Sequence, residues 1–102
     1  MHVLMDFQDR AIRLTDERRK HISQFTEATA DLAAIRETLR QPEVMTEAFH
    51  HPELRLFYRI YSRRSSDERK FHVVVKVRGY DMLVVTAFFG TDLSWGEKQW
   101  KD

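Results

Sequence analysis

Residues 71–90, "FHVVVKVRGYDMLVVTAFFG", give the clearest structural pattern in the sequence. Two runs rich in β-branched and aromatic residues flank the turn "GYD", which predicts two antiparallel strands joined as a hairpin. Because side chains alternate between the two faces of a strand, one face of this hairpin is entirely apolar. That face carries Phe71, Val73, Val75, Val77, Leu83, Val85, Ala87 and Phe89. We expect it to pack on helices and to form the core.

Lys76 belongs to the other face of the predicted hairpin. An unpaired ammonium is costly in an apolar core, and the alternation turns Lys76 away from its valine neighbours. The opposite face then carries His72, Lys76, Arg78 and Thr86. A three-residue turn over 79–81 sets the cross-strand pairs as Arg78 with Met82, Lys76 with Val84, and Val74 with Thr86. We expect this second face to be the working surface of the protein.

A further strand is predicted over "LRLFYRIY", residues 54–61. Its better core set is Leu54, Leu56, Tyr58 and Ile60. The alternate set includes Arg55 and Arg59, which this assignment places on the same side of the sheet as Lys76.

The first half of the chain has the pattern of two helices. Thr15 is the expected N-cap of the first, with Asp16 and Glu17 in the first turn, where the helix dipole favours acidic groups. Just before this cap, Ile12 and Leu14 form either a short strand or a hydrophobic staple onto the helix. Its inward side carries His21, Ile22 and Phe25.

The second helix is predicted within "ATADLAAIRETLRQPE", residues 28–43. Leu32, Ile35 and Leu39 form one apolar stripe at helical spacing. Pro42 ends this helix, because proline cannot continue a helix interior.

These elements predict an α+β fold, with N-terminal helices packed on a twisted antiparallel sheet of about four strands. A chain of 102 residues is expected to form one domain. Its helical part covers 15–41, its sheet part covers 54–90, and a C-terminal tail covers 91–102.

Composition narrows the class of protein. The chain contains no cysteine, which excludes disulfides and thiolate metal sites. No apolar run approaches the ~18 residues of a membrane span, and the first residues lack the order of a signal peptide. We therefore expect a cytoplasmic protein that does not bind membranes.

Positive charge is concentrated in one part of the chain. The whole sequence carries a net charge of +1, whereas residues 53–80 carry eight Lys and Arg against three Asp and Glu, a balance of +5. A basic block on the strands is typical of a protein that binds a polyanion. The alternative is a solvated loop, since "SRRSSDERK" has ordinary loop composition.

The ordered motifs "IRLTDERRKHI", "ETLRQPEVM", "LRLFYRIYSR", "VVVKV", "VVTAFF" and "WGEKQW" resemble a family of small phage-associated nuclease-like domains. The family is grouped with barnase, EndoU, colicin-type tRNA nucleases and RelE toxins. The resemblance covers about residues 12–100. It implies a metal-independent endoribonuclease without cofactors, with the role of a toxin or a phage-borne effector. RNA would be the substrate, with a protein inhibitor or antitoxin as a potential partner.

Carried over by position, the resemblance matches the helix histidine to His21, the strand lysine to Lys76 and the "TA" threonine to Thr86. The strand arginine matches either Arg59 or Arg55. One departure is that Phe25 stands where many members have a second histidine. The expected catalytic set is therefore His21, Lys76, Arg59 and Thr86, gathered in one concave site between the first helix and the sheet.

The residue types fit the chemistry that the resemblance implies. RNA transesterification needs a base for the 2′-hydroxyl, an acid for the 5′-oxygen and cations for the charge that develops on phosphorus. His21 suits either proton transfer, Lys76 and Arg59 suit charge stabilisation, and Thr86 can donate to a phosphate oxygen. The expected substrate-binding residues are Arg55, Arg78, Trp95 and Lys98. No metal site is expected.

Two other functions remain open from the sequence. One is a catalytically silent relative that binds nucleic acid through the basic face. The other is a protein-interaction module that binds an acidic partner. Trp95 has its own alternative, since it can clamp the C-terminus onto the core instead of stacking bases.

Overall fold

The computed structural model describes residues 1–25, 32–48, 51–64 and 67–90. Within these residues the chain forms strands and helices in the order β1 (His2–Met5), β2 (Ala11–Leu14), α1 (Asp16–Phe25), α2 (Leu32–Arg40), β3 (Val44–Ala48), β4 (His51–Arg64), β5 (Asp67–Arg78) and β6 (Asp81–Gly90). No helix in this part of the chain is long and apolar enough to cross a membrane.

All six strands join one mixed sheet in the order β1-β2-β6-β5-β4-β3. β2 runs parallel to β6, and the other neighbours are antiparallel. The predicted fold, helices on about four antiparallel strands, is therefore wrong. Two strands precede the helices, and β3 (Val44–Ala48) lies between the predicted helical part and the predicted sheet part. These strands have only four or five residues each, too few for a clear alternation signal.

The predicted hairpin over 71–90 is present as β5 and β6, but its turn is one residue shorter than expected. Arg78 pairs with Asp81, so Gly79 and Tyr80 alone form the turn. Gly79 has a φ of 58°, which suits the first central position of a type II′ hairpin turn, where glycine avoids a steric penalty.

A β-bulge in β6 places the residues before it on the opposite faces of the sheet from those that unbroken alternation predicts. Val74 lies opposite Thr86, as predicted, but Val75 lies opposite Val84, so that Val85 is the extra residue. Lys76 consequently lies opposite Leu83, and the predicted pairing with Val84 is wrong. The predicted core set holds for Phe71, Val73, Val75 and Ala87. It is wrong for Leu83 and Val85, because Val84 and Met82 take the inner positions.

The main core lies between α2 and one face of the sheet, here called the helix face. Ile35 and Leu39 of the predicted stripe are buried in it, and Leu32 packs against it. Ile22 of α1 joins the same cluster, together with Ile12 and Leu14 of β2. The buried strand residues of the helix face are Phe57, Phe71, Val73, Val75, Met82, Val84 and Ala87.

The opposite face of the sheet, here called the far face, has an apolar cluster of its own. It consists of Leu54, Leu56, Val74, Val85 and Phe88. The His72 ring stacks on Phe88 with 4.9 Å between ring centroids. Lys70 lies over the ring of Tyr58, with its Nζ 5.0 Å from the centroid. This face is therefore a second packed layer of side chains and not an open basic sheet.

The loop between β1 and β2 is held by Asp6, whose side chain is fully buried. One carboxylate oxygen accepts hydrogen bonds from the backbone N–H groups of Gln8 and Arg10, both at 2.9 Å, and the other accepts from Arg10 Nε at 2.7 Å. Arg40, at the end of α2, donates to the carbonyl oxygen of Asp6 at 2.9 Å and to Asp9 Oδ1 at 2.6 Å. The loop thereby joins α2 to the edge of the sheet.

Candidate functional site

A cavity of about 300 Å³ lies where the start of α1 meets β5 and β6. Its lining residues come from the first turn of α1, from the last residues of β5 and from the first half of β6. They are Thr15, Glu17, Arg18, Lys76, Arg78, Leu83, Val84 and Val85. We call it the basic cavity, because three of these side chains carry positive charge and one carries negative charge.

The parallel pairing of β2 with β6 brings α1 to this position. Arg13 of β2 lies beside Leu83 of β6, and the helix starts after Thr15. The Oγ1 atom of Thr15 accepts a hydrogen bond from the N–H of Arg18 at 3.2 Å, which confirms the predicted N-cap. The chain leaves β2 directly into the helix, and α1 therefore packs along β6.

Lys76 reaches the cavity from between two leucines. Its cross-strand neighbours are Leu54 on β4 and Leu83 on β6. Among the described residues, no carboxylate lies within ion-pair distance of its ammonium group. The prediction that Lys76 faces away from Val75 is confirmed, since Val75 belongs to the helix-face core. The side chain of Lys76 is half-buried, and the residue lines the cavity.

Arg78 has a carboxylate across the hairpin, but another arginine binds it. Asp81 is the cross-strand partner of Arg78. Both oxygens of Asp81 accept hydrogen bonds from Arg13, at 2.9 Å from Nε and 2.5 Å from Nη2. Bidentate pairing of this kind satisfies both the carboxylate and the guanidinium. In the described part of the chain Arg78 makes no ion pair, and its charge stays available to the cavity.

The first turn of α1 gives the cavity its other charges. Glu17 and Arg18 both line it, and Asp16 lies beside them on the helix. The N-terminal amino group lies 3.2 Å from Asp16 Oδ1. Its hydrogen bond and positive charge lower the pKa of the Asp16 carboxyl, with smaller contributions from His2 and Lys20. Asp16, the first residue of α1, therefore keeps its negative charge to lower pH than an ordinary aspartate does.

His21, the predicted proton-transfer residue, lies near this cavity without lining it. It follows Glu17 by four residues and Arg18 by three, so it is on the same side of α1 one turn further along. The side chain is half-buried. His21 is on α1 and Lys76 is on β5, and both elements carry residues that line the cavity. That the side chains of His21 and Lys76 share one site remains a prediction.

Arg59 lies on the opposite face of the sheet from Lys76. It pairs with Phe71, and its Nε lies 2.9 Å from Glu37 of α2, while Nη1 donates to the carbonyl oxygen of Gln41 at 2.7 Å. The prediction that Arg59 faces the same side as Lys76 is therefore wrong, because α2 packs on that set of β4 side chains.

The same correction applies to Arg55. It pairs with Val75 on the helix face. Its guanidinium donates to the carbonyl oxygen of Pro52 and lies 3.5 Å from Glu47 of β3. Arg55 therefore binds the backbone of its own strand and the neighbouring strand β3, and it does not line the basic cavity.

Thr86 shares the far face with Lys76 but lies deep in its apolar cluster. It is 7% exposed and lies opposite Val74. Of the predicted catalytic residues, the cavity lining contains Lys76 alone, and of the predicted substrate-binding residues it contains Arg78. Trp95 and Lys98 lie outside the described residues.

Glu17 and Arg18 were not among the site residues predicted from the sequence. The spacing along the helix could have indicated them, because Glu17 and Arg18 lie on the same side of α1 as His21. Glu17 was instead assigned to the helix dipole, which explains an acidic residue at this position without any function, and Arg18 was given no role.

The described residues contain no group of three or more His, Asp or Glu side chains placed to hold a metal ion. Comparisons of the chain with protein-family models, curated proteins and solved structures found no match.

Proposed function

We propose that the protein binds RNA by its sugar–phosphate backbone at the basic cavity. The observation that carries this proposal is the pair of cations Lys76 and Arg78, which line one cavity and have no ion-pair partner among the described residues. RNA is chosen among polyanions because the sequence motifs resemble those of RNA-cleaving domains.

The arrangement suits a phosphate group for electrostatic reasons. Lys76 offers a point charge and Arg78 a planar set of donors, which are complementary ways to bind phosphate oxygens. Arg18 adds a third positive charge from the other side of the cavity, and Glu17 offsets one of the three. The lining residues therefore carry a net charge of about +2, enough to attract a phosphodiester in a site partly shielded from water.

The test removes each charge while keeping the side-chain stem. Lys76→Met keeps the apolar contacts with the neighbouring leucines, and Arg78→Gln keeps a polar side chain at an exposed position. Arg36→Gln is the matched control, because Arg36 is exposed on α2, on the other side of the sheet. Affinity for a single-stranded RNA is measured by fluorescence anisotropy over a range of salt concentrations.

We expect each cavity variant to weaken binding about tenfold at low salt, the effect of one charged hydrogen bond. Each should also reduce the slope of log K against log[salt] by about 0.7, since one phosphate contact is lost. The Arg36→Gln variant should bind as the unmodified protein does. Equal losses in all three variants would show that only net charge matters, and the cavity assignment would then be wrong.

A second candidate function is metal-independent cleavage of the bound RNA. The specific observation in its favour is Glu17, a carboxylate that lines the same cavity as Lys76 and Arg78. In this reaction Glu17 takes the proton of the 2′-hydroxyl, and the 2′-oxygen attacks phosphorus. The 5′-oxygen leaves with a proton from an acid, for which His21 is the candidate. The cations stabilise the charge on the phosphate oxygens.

Cleavage and binding can be separated with the Glu17→Gln variant. If the reaction occurs, this variant should bind RNA at least as tightly as the unmodified protein and lose cleavage by about 10²-fold or more. Products should end in 2′,3′-cyclic phosphate and should form in excess chelator. RNA binding without any cleavage by the unmodified protein would remove the second candidate and leave the first intact.

A further inference from the structure

Tyr80 is a large aromatic residue that makes no packing contact of consequence. It occupies the second position of the turn between β5 and β6, and its relative exposure is 108%. A side chain this exposed contributes almost no buried apolar area to stability. Single exposed apolar residues are common on protein surfaces, so exposure alone would not identify a site.

The turn itself does not require an aromatic residue. The left-handed conformation belongs to Gly79, with a φ of 58°, and Tyr80 has no positive φ. Position 80 therefore accepts most residues on conformational grounds. Folding gives no reason for tyrosine there.

The position of Tyr80 relative to the basic cavity supplies a reason. Arg78 lines the cavity and precedes Tyr80 by two residues on the same hairpin. Two residues of chain span at most about 7 Å between Cα atoms. A phosphate held by Arg78 would therefore have its neighbouring nucleotide within reach of the Tyr80 ring.

We propose that Tyr80 stacks on an unpaired base of the RNA, so that the protein binds single-stranded RNA in preference to duplex. This inference rests on the proposed RNA binding at the basic cavity. Cations that hold the backbone beside an exposed aromatic ring are the combination that single-strand binding proteins use. A duplex has its bases stacked on each other and offers none to the ring.

The experiment compares two changes at Tyr80 against three ligands. Tyr80→Ala removes the ring, and Tyr80→Trp retains a stacking surface. The ligands are a single-stranded RNA of about ten nucleotides, the matching duplex, and an abasic strand of the same length. Thermal unfolding of both variants serves as the folding control, and we expect little change because the ring is exposed.

We expect Tyr80→Ala to weaken binding of the single strand by about 5- to 150-fold, the usual effect of removing one stacking ring. Binding of the abasic strand should change less than about twofold, and the salt slope should stay the same, because no phosphate contact is lost. Tyr80→Trp should restore the affinity. In Tyr80→Trp, indole fluorescence should be quenched by the single strand and not by the abasic strand.

Two failures are distinguishable. If Tyr80→Ala binds the single strand as the unmodified protein does, while Arg78→Gln loses affinity, stacking is refuted and backbone binding stands. If the unmodified protein binds neither the single strand nor the abasic strand, the proposed function fails and this inference fails with it.

Discussion

Replacing Val84 with glutamate should destabilise the protein far more than replacing its neighbour Leu83. Val84 is 1% exposed in the helix-face core. The change removes at least about 1.5 kcal/mol of side-chain burial and adds several kcal/mol for an unpaired carboxyl in an apolar site. The sum of about 5 kcal/mol equals the lower end of the stability expected for a domain of this size, about 5–15 kcal/mol.

Leu83 lies across the strand from Lys76 and lines the basic cavity. A glutamate there keeps part of its stem packed and brings its carboxylate near Lys76 and Arg78. We expect a cost of about 1 kcal/mol, since lost burial is partly offset by a favourable charge contact. The same variant should bind RNA more weakly, because it lowers the positive charge of the cavity.

The measurement is thermal unfolding followed by circular dichroism at neutral pH. Leu83→Glu should lower Tm by about 4–8 °C, and Val84→Glu by more than about 20 °C or to the point of no folded baseline. Unbroken alternation along β6 would place Leu83 in the core and Val84 outside it. A larger loss of stability in Leu83→Glu than in Val84→Glu would therefore refute the bulge at Val85.

Three further changes test local features. Asp6→Asn should cost about 1.5–3 kcal/mol in urea unfolding, because a buried charged hydrogen bond to Arg10 is lost, whereas the same change at exposed Asp9 should cost less than about 1 kcal/mol; equal costs would contradict the role of burial. Thr15→Ala should cost about 1 kcal/mol through loss of the N-cap, and no measurable change would mean that the cap contributes nothing in solution. Gly79→Ala should cost about 1–2 kcal/mol, and the cost is backbone strain from the positive φ, because an added Cβ meets no atom of the described residues within 4 Å; a neutral result would show that the turn relaxes.

The strand assignment of the hairpin could be predicted from sequence, whereas the bulge within it could not. Along β5 the alternation predicts the core-facing residues correctly for Phe71, Val73 and Val75. In β6 the residues just before the bulge, Met82, Leu83 and Val84, are all apolar, and both faces of the sheet are packed. A one-residue shift therefore leaves no polar residue in the wrong place, and the pattern gives no sign of it.

The facing of β4 failed for a related reason. Hydrophobicity favours Leu54, Leu56, Tyr58 and Ile60 as the core set, but the far face is packed as well, and Leu54 and Leu56 are buried there. The arginine set faces α2, where Arg59 pairs with Glu37 and donates to the carbonyl oxygen of Gln41 just after the helix. The sequence pattern does not show that Glu37 of α2 will lie beside Arg59 in the folded protein.

Features that depend on near neighbours along the chain could be predicted from the sequence alone. The N-cap at Thr15, the end of α2 before Pro42, the hairpin of β5 and β6 and the facing of Lys76 away from Val75 are of this kind. Each follows from short-range sterics or from the fixed period of a strand, which act within a few residues.

Which distant residues share a site depends on tertiary contacts and could not be predicted from the sequence. The parallel pairing of β2 with β6 brings the first turn of α1 beside Lys76, although more than fifty positions separate them in the sequence. The packing of α2 on β4 takes Arg59 away from that place. Both outcomes depend on contacts between remote segments, whose free energy is set by packing and charge across the whole sheet and leaves no periodic trace in the chain.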